Sequence, residues 1–251
     1  MIKDSFWCPA ALFGPALVIA SICSIGCSQP NQGAAILAQG GAVEVDSSLP
    51  NSPITIVWLT ESGASDSALQ EVSSFAELRE LYISDTAVTD DGLKHLAELS
   101  NLRKLDLFNT SITDRGLIHL ESMPLLSRLG LGNTKVTDRG LGSVSKLSQI
   151  RELYLSSTAI TDSGMQSLKS LSHLEKFDAF DTAIGDRSMD VIIGWAGLDR
   201  IGLEGTRVTD AGARKLVKLQ NLREIYLKGT SVSDEVADLL RSQFPEAVVS
   251  R

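Results

Sequence analysis

A 24-residue period runs through this chain from about Ile54 to Pro245. Eight copies align without a gap, beginning at Ile54, Leu78, Leu102, Leu126, Ile150, Leu174, Leu198 and Leu222. A fixed period of this size restricts the fold to stacked repeats. One such unit cannot bury its own apolar face, whereas neighbouring units share a continuous core. An array of this kind presents faces rather than a single pocket, which turns the functional question toward surfaces.

The copy from Leu102 to Leu125 serves as reference, with its first residue as position 1. Apolar residues fall at positions 1, 4, 6, 11, 16, 19 and 22. Positions 4 and 6 alternate with polar neighbours, as in a half-buried strand. Positions 16, 19 and 22 step by three, as on the inward stripe of a helix. Each unit therefore reads as strand, turn, helix and return loop. Position 6 is apolar throughout: Leu59, Ile83, Leu107, Leu131, Leu155, Ala179, Leu203 and Leu227. Position 9 is Ser62 and then Thr86, Thr110, Thr134, Thr158, Thr182, Thr206 and Thr230. These hydroxyls are expected to bond turn backbone in their own or the next unit. Position 13 is Asp66, Asp90, Asp114, Asp138, Asp162, Asp186, Asp210 and Asp234. With Thr or Ser usually before it, the Asp reads as a helix start, hydroxyl and carboxylate both accepting from first-turn amides. An aligned carboxylate column raises the question of calcium. Each Asp stands alone in its unit, so capping is expected and no metal.

The pattern L-x-x-L-x-L-x-x-T-x-[IV]-T-D-x-G-L-x-x-L resembles a leucine-rich repeat, most similar to the cysteine-containing, F-box-associated class. Thr stands at position 9 where that class has Asn or Cys. Bacterial exported and lipoprotein members carry the same I-T-D-x-G-L run. The resemblance covers roughly residues 40–251 and implies an α/β solenoid of about eight 24-residue repeats. A curved parallel sheet would line its concave side and helices its convex side. The fold hosts many partners, so the resemblance implies little about function. No segment reads as an F-box, and a ubiquitin-ligase role does not carry over.

The formal net charge of −8 disfavours nucleic acid as a partner. The three cysteines, Cys8, Cys23 and Cys27, all precede the repeats, leaving them no disulfide, zinc site or thiol nucleophile. Residues 5–30 carry no charge and follow a single Lys3, which marks residues 1–27 as a targeting segment. The run Ser24-Ile25-Gly26-Cys27-Ser28 resembles a bacterial lipoprotein processing site with Cys27 lipidated. Ser24 departs from the usual Leu and Asp4 weakens the basic region. An ordinary signal peptide and an uncleaved anchor remain alternatives, the latter because Phe6 to Cys27 is long enough to span a bilayer, although Pro9 and Pro15 disfavour a regular helix. Each alternative sends the repeats across a membrane, so the expected location is the cell envelope. Residues 28–39 read as tether and start of a cap, and 40–53 as an N-terminal cap with a strand at Ala42–Asp46. Repeats occupy 54–245. Residues 246–251 read as a C-terminal cap with a short strand, which makes the domain look complete.

Positions 3, 5 and 7, with 8 at the rim, are expected to face the concave side. From the second repeat they read Glu-Tyr-Ser-Asp, Lys-Asp-Phe-Asn, Arg-Gly-Gly-Asn, and then nearly the same three again. The surface thus has a 72-residue period, making 78–149 and 150–221 two copies of one larger unit. Position 3 runs Glu80, Lys104, Arg128, Glu152, Lys176, Arg200 and Glu224, a ladder that sets opposite charges side by side. Trp58, Tyr82, Phe108, Tyr154, Phe180 and Tyr226 form aromatic rows and are the candidate partner-binding residues. Gly130, Gly132 and Gly202 read as low ground between them. Duplication alone also explains the regularity, so a binding face and an inherited pattern both stand.

The sixth repeat departs from the rest. Phe177 and Ala179 exchange bulk, Gly185 replaces the capping Thr, and Ser188 replaces Gly. Its apolar helical side, Val191, Ile192, Ile193 and Trp195, reads either as a repacked core or as a convex contact patch. His95, His119 and His173 lack Cys or Ser partners and read as solvated surface. No phosphate loop or paired metal-ligand motif occurs, so neither catalysis nor a cofactor is expected. The leading expectation is a monomeric interaction scaffold that binds a protein or peptide on its concave sheet and touches membrane only through its N-terminus. A structural envelope spacer without a ligand is the alternative.

Overall fold

The structure, a computed structural model, describes residues 33–251. Cys27 and the targeting segment lie outside the described residues. Ten strands form one sheet in strict sequence order. They are β1 (Ala42–Val45), β2 (Ile54–Trp58), β3 (Glu80–Tyr82), β4 (Lys104–Asp106), β5 (Arg128–Gly130), β6 (Glu152–Tyr154), β7 (Lys176–Asp178), β8 (Arg200–Gly202), β9 (Glu224–Tyr226) and β10 (Val248–Ser250). β1 pairs antiparallel with β2, and every later pairing is parallel. From β3 to β9 the register is in phase with the period: Glu80 lies opposite Lys104, which lies opposite Arg128. Each sequence column therefore becomes a physical row across the sheet.

The core is continuous from Ile36 to Phe244 and is built from the apolar columns. Opposite the sheet, each unit contributes a short α or 3-10 turn, such as Asp162–Met165 followed by Gln166–Ser170. Among the described residues the longest single helix is Asp234–Gln243, with 10 residues. The expected helices are this short because a 24-residue unit must also supply a strand and two loops.

Position 9 bonds within its own unit. Thr86, Thr110, Thr134 and their successors donate to the carbonyl three residues back, at 2.5–2.7 Å. Position 8 adopts left-handed backbone, with φ of 53° at Asn109 and 52° at Asn133. That conformation explains why Asp, Asn, Ser and Gly recur there.

The aspartate column corrects the capping expectation. The Thr hydroxyl does cap its own turn: Thr161 accepts from the Ser163 N–H at 3.1 Å. The carboxylate reaches the next unit instead. Asp138 accepts the N–H and hydroxyl of Thr161, 23 residues on, both at 2.7 Å. Asp66, Asp90, Asp114, Asp186 and Asp210 repeat this bridge. Both oxygens are engaged, and each bridge ties two adjacent units. The bridge also dictates the glycine two positions after the next Asp. A Cβ at Gly164 would lie 2.3 Å from the Asp138 oxygen and 2.8 Å from its Cα.

In the sixth repeat two departures compensate each other. Gly185 gives Asp162 its N–H but has no hydroxyl to offer, and Ser188, standing where repeats two to five and seven have Gly, donates both its N–H and its hydroxyl to that carboxylate. Phe177, Ala179 and Trp195 are all buried, and the Phe177 and Trp195 rings meet at 5.0 Å, tilted by 59°. Ile193 is half-buried. The apolar side of this repeat is thus a repacked core rather than a convex patch.

Candidate functional site: the concave sheet

The concave rows begin with charge. Glu80 pairs with Lys104 at 2.9 Å, and Glu152 lies between Arg128 at 3.4 Å and Lys176 at 3.3 Å. Arg200 pairs with both Asp178 and Glu224. Parallel in-register strands about 4.8 Å apart bring these side chains together. Apart from Arg200–Asp178, whose carboxylate is buried, the pairs are partly solvated and each adds little to stability, about 0–1 kcal/mol.

The tyrosines are less available than their position implies. Tyr82 and Tyr154 are each only 7% exposed. Each lies along the sheet and donates its hydroxyl to the Glu two residues before it: Tyr82 to Glu80 at 2.6 Å, Tyr154 to Glu152 at 2.9 Å, and Tyr226 to Glu224 at 2.8 Å. The Arg128 guanidinium covers the Tyr154 ring at 5.6 Å, and Arg200 covers Tyr226 at 5.3 Å. Trp58 does the same for Tyr82, stacked at 6.1 Å and 6°. Burial, reinforced by the adjacent glutamates, pushes the Tyr82 and Tyr154 phenols well above their ordinary range, so both remain protonated donors. Burial alone would raise Glu152. The Tyr154 hydroxyl, Arg128 and Lys176 outweigh it and hold that carboxyl below the usual range.

The glycines are not low ground either. The Asp106 carboxylate lies over Gly130, where a Cβ would come within 2.5 Å of it, and Asp178 covers Gly202 in the same way. The Phe108 ring lies against Gly132. Asp106 and Asp178 form a buried acidic floor that sequence reasoning did not single out. The available signal was an Asp followed 24 residues later by Gly at position 5. Burial raises both carboxyls above the ordinary range. What remains open on this face is Phe108, 38% exposed, with Phe180, Trp58 and Tyr226 half-buried.

Two shallow openings lie elsewhere. One of about 380 Å³ is lined by Glu44–Ser48, Arg79 and Glu80. The other, of about 1000 Å³, follows the return-loop flank past His173, Asp199 and Phe244. Neither is lined by a candidate aromatic. His95 and His119 are half-buried and His173 is exposed. Among the described residues no three His, Cys, Asp or Glu side chains converge as a metal site, and no helix is long and apolar enough to cross a membrane.

The leucine-rich repeat family model matches residues 78–97, 98–120 and 148–169. No curated protein matches the chain. An internalin (inlF) from Listeria monocytogenes superposes with a TM-score of 0.63 at 23% identity, over 75% of this chain and 51% of that one. Internalin C2 (inlC2) from the same organism gives 0.60 at 22% identity, over 72% and 74%. The ectodomain of the Arabidopsis thaliana membrane receptor kinase GASSHO1/SCHENGEN3, solved with CASPARIAN STRIP INTEGRITY FACTOR 2, gives 0.50 at 13% identity, over 76% and 28%. The chain thus spans about half the length of the inlF structure and about a quarter of the receptor ectodomain. Together with the in-phase parallel sheet, these matches identify the fold as a leucine-rich-repeat solenoid.

Proposed function

We propose that this solenoid is a non-catalytic scaffold that binds a protein or peptide on its concave sheet. The observation that carries this reading is Phe108, a large ring 38% exposed on a face whose tyrosines and position-3 charges are held by ion pairs, stacking or hydrogen bonds. A rigid surface with an open aromatic suits an interface anchor, since little side-chain entropy is lost on binding. The Arabidopsis ectodomain, a structure of the same fold, is solved in complex with another molecule, which agrees with this use of the solenoid. The scaffold acts as a monomer, exported and tethered to the cell envelope through lipidated Cys27, on the strength of the processing-site sequence.

Cross-linking in intact cells tests the binding face. Phe108→Glu should abolish a stoichiometric cross-linked product, whereas Ile118→Glu, on the 60%-exposed convex side, should preserve it. The reverse pattern would move the site to the convex face. Mass spectrometry of the mature N-terminus tests the tether, and an unmodified Met1 would sink lipidation. The covering of Tyr82 and Tyr154 favours a second reading, a spacer whose concave rows only hold the sheet together. A spacer yields no stoichiometric product with either variant.

A further inference from the structure

We propose that the concave face takes an extended segment of a partner protein lying across the strands. Apolar side chains at i and i+4 would sit on Phe108 and Phe180, and a lysine or arginine at i+6 would face Asp181 and Glu204. The inference rests on the concave-face reading above and specifies its ligand.

Phe108 and Phe180 occupy the same row, three strands apart, which places them about 14 Å from each other. An extended chain advances about 3.3 Å per residue with alternate side chains on one face, so i and i+4 lie about 13 Å apart and point the same way. A helix fits worse. Its nearest same-face pairs, i+7 and i+11, lie at about 10.5 and 16.5 Å. Between the two rings the row holds Gly132 and Ser156, both buried and small, which leaves i+2 unobstructed.

Charge breaks the symmetry between the two rings. Beside Phe108 the row and rim carry the neutral Ser84, Gly132, Asn109 and Asn133 and one carboxylate, Asp85, which accepts from the Asn109 amide at 2.6 Å. Beside Phe180 they carry the exposed Asp181 and, one strand further from Phe108, the half-buried Glu204. Neither carboxylate joins an ion pair among the described residues, and neither does Lys228 in the next place of the row. A cation at i+6 lies about 6.6 Å beyond the second apolar residue on the same face, within side-chain reach of both carboxylates.

The probe is a fluorescein-labelled nonapeptide of Ser and Thr carrying Leu at its second and sixth places and Lys at its eighth. Fluorescence polarisation with the full chain should show saturable binding. Moving the second Leu to the fifth place, or replacing the Lys by Glu, should weaken it at least tenfold. Phe108→Ala and Phe180→Ala should each cost at least tenfold, and Glu204→Lys should reverse the preference at the eighth place. Equal binding of the three peptides, no binding of the matched one, or insensitivity to these exposed-site variants overturns the inference. So would self-association of the chain that Phe108→Ala abolishes, which would assign the rings to a second copy. These failures leave the concave-face reading standing if the cross-linked product still distinguishes Phe108→Glu from Ile118→Glu.

Discussion

In residues 78–149 the buried Asp106 accepts hydrogen bonds from the Ser84 hydroxyl and the Phe108 N–H, both at 3.0 Å. In residues 150–221 its counterpart Asp178 accepts instead from Arg200 at 3.2 Å, leaving its other oxygen and the Ser156 hydroxyl without protein partners. The core shows the same divergence: Leu105, Leu107 and Met123 in the first copy correspond to Phe177, Ala179 and Trp195 in the second, and all six are buried. The Asp90–Thr113 bridge of the first becomes Asp162–Ser188 in the second. Bulk can move between columns provided total volume is kept. A polar bridge survives only when a lost donor is replaced within reach of the same carboxylate.

Substitutions in the core, the bridge and the acidic floor sharpen or break this comparison, from the largest expected effect to the smallest. Trp195→Ala should cost about 3–5 kcal/mol by denaturant titration, because no neighbouring side chain fills the space. Its converse, Ala179→Leu, should also destabilise, by about 1–3 kcal/mol through overpacking, and a neutral result would end the volume-exchange account. Ser188→Gly should cost about 1–2 kcal/mol by removing the hydroxyl that bonds the Asp162 carboxylate, which keeps only backbone donors from residues 185 and 188. Adding Gly185→Thr should recover most of that loss, since a Cβ at Gly185 meets nothing closer than 3.3 Å. Additive costs in this double-mutant cycle would show that the two departures are unrelated.

Asp106→Asn has a smaller effect, and its sign depends on pH. Because burial raises the folded-state value, the stability Asp106 contributes is full below its unfolded value and is lost as pH rises through the folded one. Relative to the native chain the variant should therefore gain thermal stability between acidic pH and pH 7. Asp178→Asn should gain less, since that carboxylate is paired with Arg200. Equal gains would remove the electrostatic distinction between the copies. Lys104→Ala should change stability by no more than about 0.5 kcal/mol, as a half-solvated pair.

Core columns and strand register were legible in the sequence because packing repeats the same apolar residue every 24 positions. The buried state of Trp195 was legible too, since it stands where every other unit but the last carries Leu, Met or Phe. Three features were not. The Asp138 carboxylate could have served its own turn, and only the stacking shows that the Thr161 donors approach it from the next unit. Tyr154 read as an exposed anchor because its column faces outward, while its cover comes from the long Arg128 side chain one strand away. Gly130 read as a gap for the same reason, its space being taken by Asp106. In each case the deciding contact joins residues 23 to 26 apart in sequence, a separation that pattern within one unit does not display.

The Asp bridge and the concave rows also set how the array can change length. Excising any 24 residues in phase returns each Asp to an equivalent Thr or Ser, so the shortened solenoid would still stack. It would bring together rows that are strangers, such as Lys104 beside Glu152 with no Arg128 to cover Tyr154. Excising 72 residues, for instance 150–221, would place Arg128 beside Glu224 and Tyr226, as Arg200 is now, and Asp138 beside Ser233, as Asp210 is now. For stacking the module is one turn of the solenoid, and for the surface it is three. Lengthening or shortening in threes is the route by which such a chain could change length while keeping each surface unit whole.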